Sequence, residues 1–136
     1  MTPATGVWQQ GEDVTTLLWI MLGGAIGTGA RYLIATPLNG SATEGYPFGT
    51  LTVNLLGCLA IGFLATTLTE ASGVRPEVKL ALVVGCLGGF TTFSSFGFET
   101  ITLLQHGRIG AALSYVLLSN LAGLALAWGG MKAAGA

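Results

Sequence analysis

An all-α integral membrane protein of four transmembrane helices, the third of them broken, is predicted by three observations. About half of the 136 residues are hydrophobic and only 8% are charged. Apart from Arg31, the charges fall outside four apolar runs, each long enough to approach a bilayer's width. Glycines, hydroxyls and aromatic rings crowd the middle of the third run. A soluble domain carries about 25% charged residues. With a mean hydropathy of +0.72, this chain has too few polar groups to cover a water-facing surface, and a bilayer removes that demand.

The length is that of one domain. Residues 1–13 (MTPATGVWQQGED) hold no basic residue. A cleavable signal peptide needs a basic start, so this stretch reads as a polar N-terminal tail ahead of a four-helix transmembrane domain over residues 14–136. Net charge is -1, which gives no reason to expect nucleic acid as a partner. Cys58 and Cys86 lie inside apolar runs and read as small hydrophobes of packed helices. His106 stands between Gln105 and Gly107-Arg108 and reads as a solvated loop residue.

The four runs cover residues 14–35, 48–69, 80–98 and 109–131, the third continuing through Glu99 toward Leu104. At a rise of 1.5 Å per residue, about 20 residues cross a hydrocarbon core of about 30 Å. Pro37, Asn39 and Gly40 open the first joint and Pro47 closes it; Ser72-Gly73-Val74-Arg75-Pro76 makes the second and His106-Gly107-Arg108 the third. No run alternates as a strand would.

Four spans place both termini and the 70–79 joint on one side, with Arg75, Lys79 and Lys132. The other side carries Arg108, with Arg31 near the end of the first helix. Three basic residues against two is almost no bias under the positive-inside rule. Two readings stand: a weak signal in a small protein, or copies that insert both ways up and pair antiparallel.

In the first helix Gly23 and Gly27 form a small-xxx-small pair, which says that helices pack closely. The third run reads Gly85-Cys86-Leu87-Gly88-Gly89-Phe90-Thr91-Thr92-Phe93-Ser94-Ser95-Phe96. Adjacent glycines followed by two threonines weaken a helix. A glycine-softened but continuous helix is one reading; the clustering of polar groups favours a break near residues 88–92. Broken backbone at membrane depth survives only when buried in protein or lining a cavity, and its free carbonyls can hold a cation.

Thr50 and Asn54 share a face of the second helix, and Tyr115, Ser119 and Gly123 share one of the fourth. Polar side chains can glue helices together for about 0.6 kcal/mol each. Two tracks beside a polar break look more like a lined pathway. Glu99 and Arg31 lie toward span ends, and no charge occupies a span centre. Amide and hydroxyl donors and the positive edges of Phe93 and Phe96 are what such a pathway offers. This chemistry suits a small, strongly hydrogen-bonding anion.

Three stretches together resemble the Fluc (CrcB) fluoride-channel family: Gly23-Gly24-x-x-Gly27-x-x-x-Arg31-Tyr32, Gly49-Thr50-Leu51-x-Val53-Asn54-x-x-Gly57, and Gly88-Gly89-Phe90-Thr91-Thr92-Phe93-Ser94-Ser95-Phe96. Tyr115-x-x-x-Ser119 is a weaker fourth match, and the resemblance spans about residues 19–131. It implies an antiparallel, dual-topology homodimer in the cell (inner or plasma) membrane, embedded in lipid. Such a dimer has two pores that export fluoride down its gradient and confer fluoride resistance. It further implies that Asn54 donates to fluoride and that Phe93 and Phe96 present ring edges to it. Thr50, Ser95, Tyr115 and Ser119 would lie along the polar track, and Glu99 near a vestibule. The Gly88 and Thr91 carbonyls of both subunits would hold a structural Na+ at the dimer centre, and Arg31 would serve packing and positioning. Ser95 stands where the motif often has Thr, and Gly97 and Gly123 where some members have Ser, so the hydroxyl track is shorter here.

A small dual-topology multidrug-type exporter is a rival, but it would need a central carboxylate that the first helix lacks. A membrane scaffold protein is another, which would explain the glycines but not the polar break. No nucleophile–base pair or metal-ligand cluster points to an enzyme.

Overall fold

The computed structural model describes residues 14–39, 45–70 and 73–135. The expected polar tail at 1–13, and Gly40 and Ser72 of the joints, lie outside them. Four apolar helical spans result, Val14–Leu38, Phe48–Thr69, Pro76–Gln105 and Ile109–Ala133, each long enough to cross a membrane. We label them α1 (Val14–Leu38), α2 (Phe48–Glu70), α3 (residues 76–90) and α4 (Phe93–Gln105), the two halves of the third span, and α5 (Ile109–Ala133). Among the described residues the only extended pairing is an isolated bridge between Asn39 and Pro47.

The ends of the helices follow from local chemistry. Pro37 sits in the last turn of α1, where its ring lacks the N–H that the ladder would use, and the helix stops at Leu38. The third span starts earlier than its apolar run because Pro76 opens it from an extended Arg75, with Glu77 in the first turn and Lys79 in the last turn of its opening segment. Both are favoured places for those residue types. Between α4 and α5, Gly107 has φ +72. Its N–H donates to the Leu104 carbonyl at 3.0 Å and that of Arg108 to Leu103 at 2.9 Å. That is the Schellman closure, which a left-handed glycine makes possible. His106 is exposed beside it, its ring Nδ1 2.8 Å from the Thr102 carbonyl oxygen.

Glycine decides which helices touch. A Cβ on Gly23 would run into the Ala81 carbonyl and one on Gly27 into that of Cys86, so α1 lies backbone to backbone on α3. Gly62 of α2 and Gly130 of α5 face the Ala127 and Leu59 carbonyls in the same way. Where lipid supplies no hydrophobic drive between helices, such close approach is what binds them. Residues Ala81–Leu87 of α3 and Leu118–Ala122 of α5 adopt wider, π-type turns. The first of these lies against α1.

Two small cores stand on either side of the break. Leu51, Leu103, Ala112 and Tyr115 form one, with Tyr46, Leu55 and Phe96 against it. Leu80 and Val83 form the other, with Ile20, Ile61 and Leu68. Elsewhere large apolar side chains point outward, including Leu33, Leu121, Leu124 and Trp128, as lipid-facing helices require. Arg108 Nη1 donates to the Gly45 carbonyl at 2.6 Å, joining the two connections on one side of the bundle.

Candidate functional site

The third span breaks at two residues. Thr91 (φ -84, ψ 159) and Thr92 (φ -151, ψ 115) are extended between helical neighbours, at the end of the stretch where the sequence predicted it. Thr92 then starts α4: its hydroxyl oxygen accepts from the Ser95 N–H at 3.2 Å, as an N-cap does. The same hydroxyl donates to Ser95 Oγ at 3.0 Å. Hydroxyls that are poor inside a helix are well placed at its start.

Asn54, on α2, closes the break from the side. Its Oδ1 accepts from the Thr92 N–H at 2.8 Å, and its Nδ2 donates to the Thr92 carbonyl at 3.0 Å. The side-chain amide thus replaces the missing helical partners of one residue. A second amide hydrogen is left over, since Asn carries two. In a continuous helix the Thr92 N–H would serve the carbonyl of Gly88; here it is committed to Asn54, and that carbonyl is released. Gly88 has no atom within 4 Å of where a Cβ would stand.

A cavity of about 390 Å³ opens at the break. Asn54, Phe93, Phe96 and Ser119 line it, as do Gly88 and Thr91. The sequence singled out all six. No charged side chain is among its lining residues. Phe93 is 82% exposed at its edge, and the Phe93 and Phe96 ring centroids are 5.5 Å apart. The Ser119 Oγ is buried without a hydrogen-bond partner. An orphaned hydroxyl in such a place is costly unless something else uses it.

A second polar group adjoins the cavity. Glu99 accepts from the Thr50 hydroxyl at 2.6 Å through one oxygen and from the Tyr115 hydroxyl at 2.7 Å through the other. Tyr115 is fully buried and Thr50 nearly so. The Phe96 ring lies 5.2 Å from that of Tyr115, which meets Tyr46 edge-on at 5.8 Å. An aromatic row therefore connects the cavity with the loop side of the bundle.

Other residues stand apart. Ser95 is taken up by the α4 cap rather than by the cavity lining. Arg31 is half-buried on α1, away from the cavity. Sequence reasoning did not single out Thr92 as the cap of α4, although Thr is a favoured N-cap residue. It also passed over Asn120 and Cys58, which line the cavity, and Asn39, whose Oδ1 accepts from the N–H groups of Gly49 and Thr50. Asn39 caps a helix from across a loop, and no local pattern reveals that.

Fold and site together define a multi-pass membrane protein with an uncharged, largely apolar cavity at a broken span, into which the Asn54 amide and the Ser119 hydroxyl bring a few polar atoms. The family model of the CrcB-like protein, Camphor Resistance (CrcB), matches residues 18–131, and the chain belongs to that family. It is 47% identical over 116 residues to the fluoride-specific ion channel FluC of Paracoccus denitrificans, covering 85% of this chain and 91% of that one. It is 45% identical over 123 residues to a protein of that name from Thermus thermophilus, covering 90% and 96%. With the one from Methylobacillus flagellatus it shares 41% over 117 residues, 85% and 91% of the two chains. These relatives are ion channels by name, not enzymes.

Proposed function

We propose that this chain is one subunit of a fluoride-selective channel, through which fluoride leaves the cell passively across the plasma membrane. The observation that carries the reading is the cavity at the break, where the partnerless Ser119 hydroxyl, Asn54 and the two phenyl groups meet without a fixed charge. The names of the relatives support it.

Fluoride is small and a strong acceptor, so it gives up water only to several close donors. Ser119 has a free hydrogen to offer, Asn54 its second amide hydrogen, and Phe93 and Phe96 their positive ring edges. A fixed cation would hold the ion too long for conduction, whereas neutral donors bind and release. Hydrofluoric acid is weak, crosses the bilayer neutral and dissociates in a near-neutral cytoplasm. An inside-negative potential, worth about 2.3 kcal/mol per charge per 100 mV, then drives the anion out.

The working unit in this reading is an antiparallel homodimer. The near-equal basic counts on the two sides support it, as does Phe93, too exposed in one copy to enclose a route alone. The carbonyls of Gly88 and Thr91 from both copies would hold a structural Na+. The commitment of the Thr92 N–H to Asn54, which frees the Gly88 carbonyl, fits a cation there. Such an ion would supply positive charge beside those carbonyls. Glu99 lies toward a span end with both oxygens bonded, which does not suit the free central carboxylate of a proton-coupled exporter.

Liposomes containing the purified protein and loaded with fluoride should empty, and chloride-loaded ones should not. Comparable loss of both anions would refute the selectivity, and loss of neither would refute the channel.

A further inference from the structure

We infer that Asn39 is a positioning residue for this route: its side-chain amide sets the direction of the Thr50 hydroxyl and so keeps Glu99 hydrogen-bonded on both oxygens. The part of this inference that concerns flux rests on the fluoride reading above; the part that concerns geometry does not.

Asn39 is half-buried just beyond the end of α1. Its Oδ1 accepts from the N–H of Gly49 at 2.8 Å and of Thr50 at 3.2 Å. Those two donors fix which way round the amide sits, so Nδ2 faces Thr50 Oγ1 at 3.3 Å. An amide nitrogen can only donate. It therefore occupies a lone pair of the Thr50 oxygen, and the single hydroxyl hydrogen must go elsewhere. Glu99 Oε1 lies 2.6 Å away and takes it. With Tyr115 donating to the other oxygen at 2.7 Å, the chain has one polarity, from Asn39 through Thr50 to a carboxylate that accepts from both ends.

Thr50 is 2% exposed and Tyr115 0%, so both donors are held inside the bundle, while Glu99 itself is half-buried. Without Nδ2, the Thr50 hydroxyl can turn away and uncover a carboxylate oxygen. Phe96 links this group to the cavity through its contact with Tyr115. A bare carboxylate beside the route opposes an anion.

Capping of α2 alone is the competing account, and Asn39→Asp separates the two. Aspartate caps a helix as well as asparagine, but it cannot donate to Thr50. Asn39→Asp should assemble at wild-type yield and carry fluoride about tenfold more slowly per assembled protein, the loss of one well-made hydrogen bond to a charged group. In a Thr50→Val background the same change should have little further effect. A full tenfold loss there would show that the new charge acts alone, and unchanged flux in the single variant would show that Asn39 only caps; either result overturns the inference.

A second readout does not need flux. The infrared difference between wild type and Glu99→Gln, with labelled glutamate, assigns the Glu99 carboxylate stretch. Asn39→Asp should move that band in the direction that Thr50→Val moves it. A band left in place by Asn39→Asp overturns the inference even in a protein that carries no fluoride, whereas a moved band beside absent wild-type flux would support it and refute the channel reading instead.

Discussion

Asn54 and Ser119 face the same cavity, yet the structure uses them differently. Asn54 satisfies the N–H and the carbonyl of Thr92, so Asn54→Ala leaves two backbone groups unpaired. Each such loss costs about 1–3 kcal/mol, and we expect the variant to melt at lower temperature and to yield less assembled protein. Ser119 gives up no bond on mutation. Ser119→Ala should stay within about 0.5 kcal/mol of wild type in stability while fluoride efflux per assembled protein falls about tenfold or more, as loss of a hydrogen bond to a charged ligand predicts. Efflux assays after gel filtration compare the two. Phe93→Ile and Phe96→Ile keep apolar bulk without the ring quadrupole. Flux per assembled protein should drop sharply in both; unchanged flux would move the route off these rings. The sequence brought these residues to notice through their spacing, but not the bracket that Asn54 forms around Thr92, which depends on the register of α2 against the break.

At the scale of elements, glycine spacing carries most of the packing. Gly27 of α1 meets the Cys86 carbonyl, whereas a Cβ on Gly29 would meet nothing within 4 Å. Gly27→Val should therefore prevent α1 from seating on α3 and abolish the folded species in gel filtration. Gly29→Val should be tolerated, although the two glycines are two residues apart on one helix. The sequence marked Gly23 and Gly27 as a packing pair; it could not say that α3 would be the partner. The break was legible because Gly88-Gly89 and Thr91-Thr92 weaken a helix together. The wide turns at Ala81–Leu87 and Leu118–Ala122 were not. Their residues give no local signal for widening.

For the whole molecule, the balance of basic residues governs how it enters the membrane. Three against two predicts mixed insertion, so reporters fused to the C-terminus should give signal on both sides. Two or three lysines added to one connection should collapse the mixture to one orientation. A reporter confined to one side in the unmodified protein would rule out antiparallel pairing of identical chains.

What the sequence determined by itself was one-dimensional. The four apolar runs gave the spans to within a few residues, because hydrocarbon thickness sets a length that composition alone reports. Gly88-Gly89-Phe90-Thr91-Thr92 placed the break, because helix propensity is local. Tertiary structure decided the rest: that Asn54 brackets the break at Thr92, that Thr50 and Tyr115 converge on Glu99, and that Asn39 reaches α2 from beyond α1. These are contacts between helices. They depend on how deeply glycine lets one backbone settle against another, a quantity that no single stretch of sequence contains.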